Sequence, residues 1–238
     1  TIFHSRAFLF MSIQNPKVTV MMPAYNSAKY IRASIDSVLS QRYPSFELII
    51  YDDGSSDETY SIAKRYTRDK RVRLIRSLKN RGASHARNEI IRQARGKYLA
   101  PHDSDDLMLE GKLKIQSGIF DKNKSVGLVF GNYVILDELQ KKIAGVGMPY
   151  YILNHRKKRY FTKGKPSADF PLGISHCSIM FRKLLIQQEG GYDTKINVAH
   201  DLDLLLRFWR CTKFYYVNRF FYIYRRRSGS LVMNSRFY

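Results

Sequence analysis

Tyr51-Asp52-Asp53-Gly54-Ser55-Ser56-Asp57 follows directly on the apolar run Phe46-Glu47-Leu48-Ile49-Ile50. The run has the length and apolar content of a buried strand. Asp52-Asp53-Gly54 then turns the chain, and Ser55 with Glu58 has the spacing of a capping box at a helix start. Strand, tight turn and helix in that order make the first part of a crossover unit. In open α/β sheets ligands bind beyond the carboxyl ends of strands, so these carboxylates stand where a ligand is met. An ordinary Asp-Gly turn reads the same way, and the stretch alone does not separate the two.

The alternation continues on both sides. Residues 18–22 form a strand stopped at Pro23, residues 24–26 a loop, and Ile31, Ile35, Val38 and Leu39 one face of a helix closed by Pro44. After the central unit come a helix to about residue 67, a strand at 72–75, a loop at 78–82 and a helix at 83–95. Gly96 takes the position that tolerates a left-handed backbone. A short strand at 97–100 delivers His102-Asp103-Ser104-Asp105-Asp106. Beyond it the pattern predicts a helix at 110–121, strands at 126–130 and 134–136 separated by Gly131-Asn132, a strand at 178–181 and a short helix at 184–188. A last helix begins after His200-Asp201 with the stripe Leu202, Leu205, Leu206 and Trp209, and the aromatic segment 214–224 runs into Arg225-Arg226-Arg227. The predicted fold is α/β: a Rossmann-type mixed, mainly parallel sheet flanked by helices, with right-handed crossovers.

A chain of 238 residues with 44% hydrophobic content suits one such domain. We expect a leader at 1–16, a ligand-binding half at 17–106, a second half at 107–230 and a tail at 231–238. Met11 is a candidate initiator. No apolar run approaches the roughly 20 residues that span a bilayer. Cys177 and Cys211 have neither metal-site spacing nor the density of a disulfide scaffold, so a reducing cytoplasm is expected. The formal charge of +21 is extreme and predicts attraction to polyanions. Part of it lies in residues 148–166, where Arg156, Lys157, Lys158, Arg159, Lys163 and Lys165 interleave with Tyr150, Tyr151, Tyr160 and Phe161 and no acid.

Asp103, Asp105 and Asp106 form a second acidic cluster at a strand end. Residues two apart in an extended segment share a side, so Asp103 and Asp105 can face one ligand. Carboxylates this close repel unless a cation intervenes, and hard oxygen donors favour Mg²⁺ or Mn²⁺. A solvated turn is the plainer alternative.

Pro23-Ala24-Tyr25-Asn26, Asp52-Asp53-Gly54-Ser55 with Asp57, Asn80-Arg81-Gly82 with Ala86-Arg87-Asn88, and Asp103-Ser104-Asp105-Asp106 together resemble the ordered signature of family 2 glycosyltransferases of GT-A fold. Each motif is weak alone; their order and spacing are specific. The resemblance implies that Pro23, Ala24, Tyr25, Asp52 and Asp53 hold the nucleobase of a sugar nucleotide, with Asn26 also in the nucleotide-sugar site, a UDP-sugar being expected. It implies that Asp103, Ser104 and Arg87 meet the donor, and that Asp105, with Asp103 and Asp106, holds the metal on the diphosphate. Asp201 matches the family's general base, in a pair that usually reads Glu-Asp and here begins with His200; simple helix capping is the competing role. Arg227 stands where the family often has a histidine, and clamps phosphate where imidazole would ligate metal. His102 adjoins the donor site, His85 and His176 are expected to be structural, and residues 176–178 fall where such enzymes line the acceptor pocket.

The expected activity is therefore metal-dependent, inverting transfer to a carbohydrate or lipid-linked acceptor, in cell-surface polysaccharide or glycolipid synthesis. A polyprenyl-phosphate glycosyltransferase and a non-catalytic polyanion- or membrane-binding protein are the alternatives. Nucleic acid is disfavoured, because acids at several strand ends repel phosphate backbones. The basic segment instead suits an anionic membrane face, placing the chain in the cytoplasm or on the inner leaflet.

Overall fold

The computed structural model describes residues 15–139, 141–148, 160–161, 173–196 and 198–227. Residues 1–14 of the expected leader, with Met11, the C-terminal tail and almost all of the basic segment lie outside them. Ten strands form one sheet: β1 (Val18–Ala24), β2 (Phe46–Asp52), β3 (Val72–Arg76), β4 (Tyr98–Pro101), β5 (Leu107–Met108), β6 (Val126–Asp137), β7 (Lys142–Gly147), β8 (Tyr160–Phe161), β9 (Met180–Arg182) and β10 (Lys213–Arg226). The helices are α1 (Ile31–Leu39), α2 (Thr59–Arg65), α3 (Ala83–Gln93), α4 (Lys112–Lys122), α5 (Lys183–Gln188) and α6 (His200–Cys211).

The main path of the sheet runs β3-β2-β1-β4-β9-β6-β10-β5, with β7 on β6 and β8 on β10. The ladders β1/β2, β1/β4, β2/β3 and β6/β10 are parallel, while β9 runs antiparallel between β4 and β6. From β1 the chain steps outward through β2 to β3, then crosses back to β4 on the other side of β1. That reversal opens a crevice at the carboxyl ends of these strands.

Period-two alternation divides the core between the faces. Met21, Ile49 and Leu99 point to one side, with Ile90 of α3 and Leu205 and Phe208 of α6. Val20, Met22, Leu48 and Ile50 point to the other, with Ile31 and Ile35 of α1 and Leu113 of α4. Both faces are covered, so β1 and β2 are buried almost throughout.

Several local expectations are corrected. The capping box is absent: α2 begins at Thr59, and Asp57 takes the amides of Thr59 (2.9 Å) and Ala28 (3.0 Å), while Ser55 Oγ takes the Asn26 amide at 3.0 Å. Gly96 is not left-handed; α3 already ends at Gln93, and a Cβ on Gly96 would meet the Thr19 nitrogen at 2.4 Å. Gly131-Asn132 does not divide the strand there. β6 runs straight through, and Gly131 lets the Phe221 ring lie where a Cβ would come within 2.6 Å of it. β7 was not foreseen. The α6 stripe is Leu204, Leu205, Phe208 and Trp209, with Leu202 exposed.

Candidate active site

A cleft of about 650 Å³ opens at the carboxyl ends of β1, β2 and β4 and is lined by segments far apart in sequence. The β1 end contributes Pro23, Ala24, Tyr25 and Asn26, the β2 end Asp53, the β4 end Asp103, Ser104 and Asp105. Arg87 reaches it from α3, His200 and Asp201 from the start of α6, and Tyr224 and Arg227 from the end of β10.

The first acidic pair divides its work. Asp53 faces the cleft, and its carboxylate takes the amides of Arg81 (3.0 Å) and Gly82 (2.8 Å), anchoring the loop that leads into α3. Asp52, expected beside the nucleobase, is fully buried and does not line the cleft. Side chains alternate along an extended segment, so with Asp53 toward the cleft Asp52 turns to the interior. Its carboxylate faces the Arg76 guanidinium at 3.5 Å and has no hydrogen bond among the described residues. Ser27 and Ser104 join the β1 and β4 loops through a 2.7 Å hydroxyl pair.

In the second cluster each cleft-facing acid carries its own arginine. Arg87 Nη2 donates to Asp103 Oδ1 and Arg227 Nε to Asp105 Oδ2, each at 2.7 Å. Burial acts to raise the Asp103 pKa, but Arg87 and then His176 hold it well below the usual carboxylate range. Burial and then the Asp103 charge push Asp105 upward, only partly offset by Arg227. Asp106, expected among the metal ligands, is buried away from the cleft. It accepts the Arg225 amide at 2.9 Å, pinning β10 to this loop, and burial with its two acidic neighbours drives its pKa well up. His102 also lies off the cleft, fully buried against Ser34 Oγ at 3.1 Å; burial, then Lys112, pushes its pKa down to about 3.

Asp201 stands in the first turn of α6 and accepts the Leu202 amide at 2.9 Å. The N-cap position belongs to Ala199, which has φ 61°, so capping does not explain Asp201. Arg87 is nearly buried, and its fork is divided between Asp103 and His200, Nη1 lying 2.7 Å from His200 Nε2. His176 lines the cleft, and its Nε2 pairs with the Tyr192 hydroxyl at 2.8 Å.

Lys112 and the Arg87–His200 contact were not anticipated. The contact joins residues 113 positions apart, and no periodicity reports it. Lys112 stood in plain view of the motif, two residues into a predicted helix. Asp103, His176 and Cys177 also bring one ligand atom each within 4.8 Å of one another. Burial and the Asp103 and Asp106 charges keep that thiol protonated.

The family model described as Glycosyl transferase family 2 matches residues 19–188. An uncharacterized glycosyltransferase of Rickettsia prowazekii is 32% identical over 210 residues, covering 86% of this chain and 62% of that protein. The Escherichia coli UDP-Glc:α-D-GlcNAc-diphosphoundecaprenol β-1,3-glucosyltransferase WfgD is 38% identical over 120 residues, 50% of this chain and 47% of that protein. The chain thus spans about six tenths or less of these relatives. Among solved structures, residues 1–349 of Staphylococcus aureus TarS with UDP-GlcNAc superpose with TM-score 0.77 at 22% identity, over 92% of this chain and 61% of that one. The mannosyltransferase PcManGT of Pyrobaculum calidifontis, with GDP-Man and Mn²⁺, gives 0.68 at 19% identity, over 94% and 65%. These likenesses show the fold, a mixed α/β sheet of the GT-A kind.

Proposed function

We propose that this chain, which belongs to glycosyl transferase family 2, transfers a sugar from a nucleotide-sugar donor to a carbohydrate or lipid-linked acceptor. The observation that carries the proposal is the cleft itself: Asp53, Asp103 and Asp105 meet Asp201 across one concavity at a topological switch point. The donor is a UDP-sugar in this reading, supported by the UDP-sugar named for WfgD and bound to TarS. Residues 23–26 and Asp53 receive its base and ribose. Asp103, Ser104 and Asp105 receive the diphosphate and sugar.

The donor set fits a hard divalent cation. Asp103 and Asp105 both line the β4 end of the cleft with hard carboxylate oxygens, one oxygen of each already paired with an arginine. The Mn²⁺ in PcManGT supports the same reading. Such a cation, when bound, stabilises the negative charge that grows on the leaving diphosphate. Arg227, at the cleft wall, adds bidentate contact to phosphate oxygens.

Asp201 acts as general base. It accepts the proton of the acceptor hydroxyl as that oxygen bonds to the anomeric carbon from the face opposite the diphosphate, inverting the configuration. The half at 17–106 thus binds the donor, while the half at 107–230 supplies the general base and adds Arg227 at the phosphates. Among the described residues no helix is long and apolar enough to cross a membrane. The charge of +21 supports attachment to an anionic leaflet, where lipid-linked acceptors are found.

A panel of UDP- and GDP-sugars, each with Mn²⁺, Mg²⁺ or EDTA, tests the proposal through nucleoside diphosphate release. We expect metal-stimulated release from one UDP-sugar, increased by acceptor. No release from any donor would reject enzymatic transfer.

A further inference from the structure

We propose that Arg87 and His200 form a positioning clamp that ties the donor-side carboxylate Asp103 to the start of α6 and so sets the reach of Asp201. The inference rests on the reading of Asp201 as general base and adds a residue pair that holds it in place.

Three observations carry it. Arg87 is 4% exposed and projects from α3 between the β4 end and α6. It donates through Nη2 to Asp103 Oδ1 and through Nη1 to His200 Nε2, both at 2.7 Å, so one rigid guanidinium spans the two sides of the cleft. The backbone just before His200 adopts φ 61° at Ala199, a conformation that non-glycine residues seldom hold without surrounding support.

The chemistry fixes the state of His200. A guanidinium has donors only, so Nε2 accepts and the ring proton is on Nδ1. A doubly protonated ring has no acceptor left and places a second positive charge against Arg87. Among the described residues, several charged and titratable groups face the ring. Arg87 comes from α3, with Asp103 behind it; His176 and Tyr192 present ring centroids at 6.2 and 6.1 Å; Asp201 and Asp203 lie on α6 itself. The clamp holds through this acceptor, and a side chain at position 200 that cannot accept from Arg87 releases the first turn of α6 and with it Asp201.

The test compares wild type with His200→Gln, His200→Leu and Asp201→Asn. It uses UDP release from the active UDP-sugar at neutral pH, with UDP-Mn²⁺ affinity by calorimetry and melting temperature in parallel. Glutamine carries an amide oxygen that accepts at every pH; leucine accepts nothing. A hydrogen bond to a charged group is worth about 1.5–3 kcal/mol, so His200→Leu is expected to lower kcat about 10- to 100-fold. UDP affinity should stay within about threefold, because Arg87 keeps its hold on Asp103. His200→Gln, which still accepts from Arg87, should keep kcat within about threefold of wild type. An unchanged kcat in His200→Leu, or an equal loss in His200→Gln, would overturn the clamp. Should His200→Leu fail to fold, the kcat of His200→Gln beside its UDP affinity decides, a loss in kcat beyond about tenfold overturning the clamp. Full activity in Asp201→Asn sinks the general-base reading, an outcome distinct from either.

Discussion

Lys112 provides a quantitative test of how the fold supports the acidic loop. Its side chain is fully buried at the start of α4, and its ammonium donates to the Cys177 carbonyl at 2.5 Å and the Pro101 carbonyl at 3.3 Å. Burial pushes its pKa down from 10.5 to about 8, against the pull of Cys177, Asp103 and Asp106. Below pH 8 both folded and unfolded chains hold the proton, and the fold carries the whole cost of the buried charge, about 3 kcal/mol. As pH rises from 8 toward 10.5 the unfolded chain binds more protons than the folded one, so stability increases over that window. Linkage gives a gain of about 1.3 kcal/mol between pH 7 and pH 9.

The Cys177 thiol works the other way. Burial raises its pKa well above 9.0, so the unfolded thiol ionises first and stability falls as pH passes that value. Comparing wild type with Lys112→Met removes this contribution, which both proteins share. Urea unfolding at pH 7, 8 and 9 should show the stability of wild type relative to the variant rising by about 1.3 kcal/mol across the range. At pH 7 the two should be close, because losing the buried charge offsets two carbonyls left without a donor, at about 1–3 kcal/mol each. A difference that stays constant from pH 7 to 9 would refute a depressed lysine pKa and the buried ammonium with it.

Asp201→Asn keeps the side-chain oxygen that takes the Leu202 amide, so it should fold and bind UDP-Mn²⁺ normally while kcat falls about 100-fold or more, the scale of general-base loss; single-turnover kinetics would measure it. Asp105→Ala removes the acid paired with Arg227, and titration calorimetry should show Mn²⁺-dependent UDP binding weakened at least about tenfold, the effect of losing one charge-assisted contact. Acid unfolding should begin near pH 6.5, because His102 with a folded pKa of about 3 stays neutral in the fold while the unfolded ring protonates. Stability is then lost as pH drops from 6.5 toward 3, by about 2 kcal/mol at pH 5, and His102→Gln should remove that loss in urea titrations. Gly96→Ala should lower stability by about 1–3 kcal/mol through overpacking against β1, with catalysis per folded molecule unchanged.

The order of elements was legible because each rests on a local pattern. Leu48, Ile49, Ile50 and Tyr51 are apolar on both faces, as a strand covered on both sides has to be, and the spacing of Ile31, Ile35 and Val38 leaves one helical face. Errors arose where local signals had more than one physical cause. Gly96 and Gly131 read as backbone punctuation, and both are instead places where another chain segment approaches too closely for a Cβ. Ser55 and Glu58 have capping spacing, but Asp57 is better placed to take the amides of both Thr59 and Ala28. The Leu202 stripe was offset because α6 is only partly apolar, and tertiary packing against β6 and β10 chose the face with Leu204 and Phe208.

The acids themselves were visible as motifs; their division of labour was not. Asp52 and Asp53 are adjacent in an extended segment, so one faces the cleft and the other the interior, yet sequence does not say which. The same parity separates Asp105 from Asp106 and gives each a different partner: Arg227 for the first and the Arg225 backbone for the second. That pairing explains the arginine run at the end of β10. One residue of the run secures the strand to the acidic loop through its amide, and the residue two further on reaches the carboxylate that faces the cleft. The departure from histidine at position 227 therefore leaves the cleft with a built-in cation beside Asp105, and a metal ion entering there has to share that carboxylate with it.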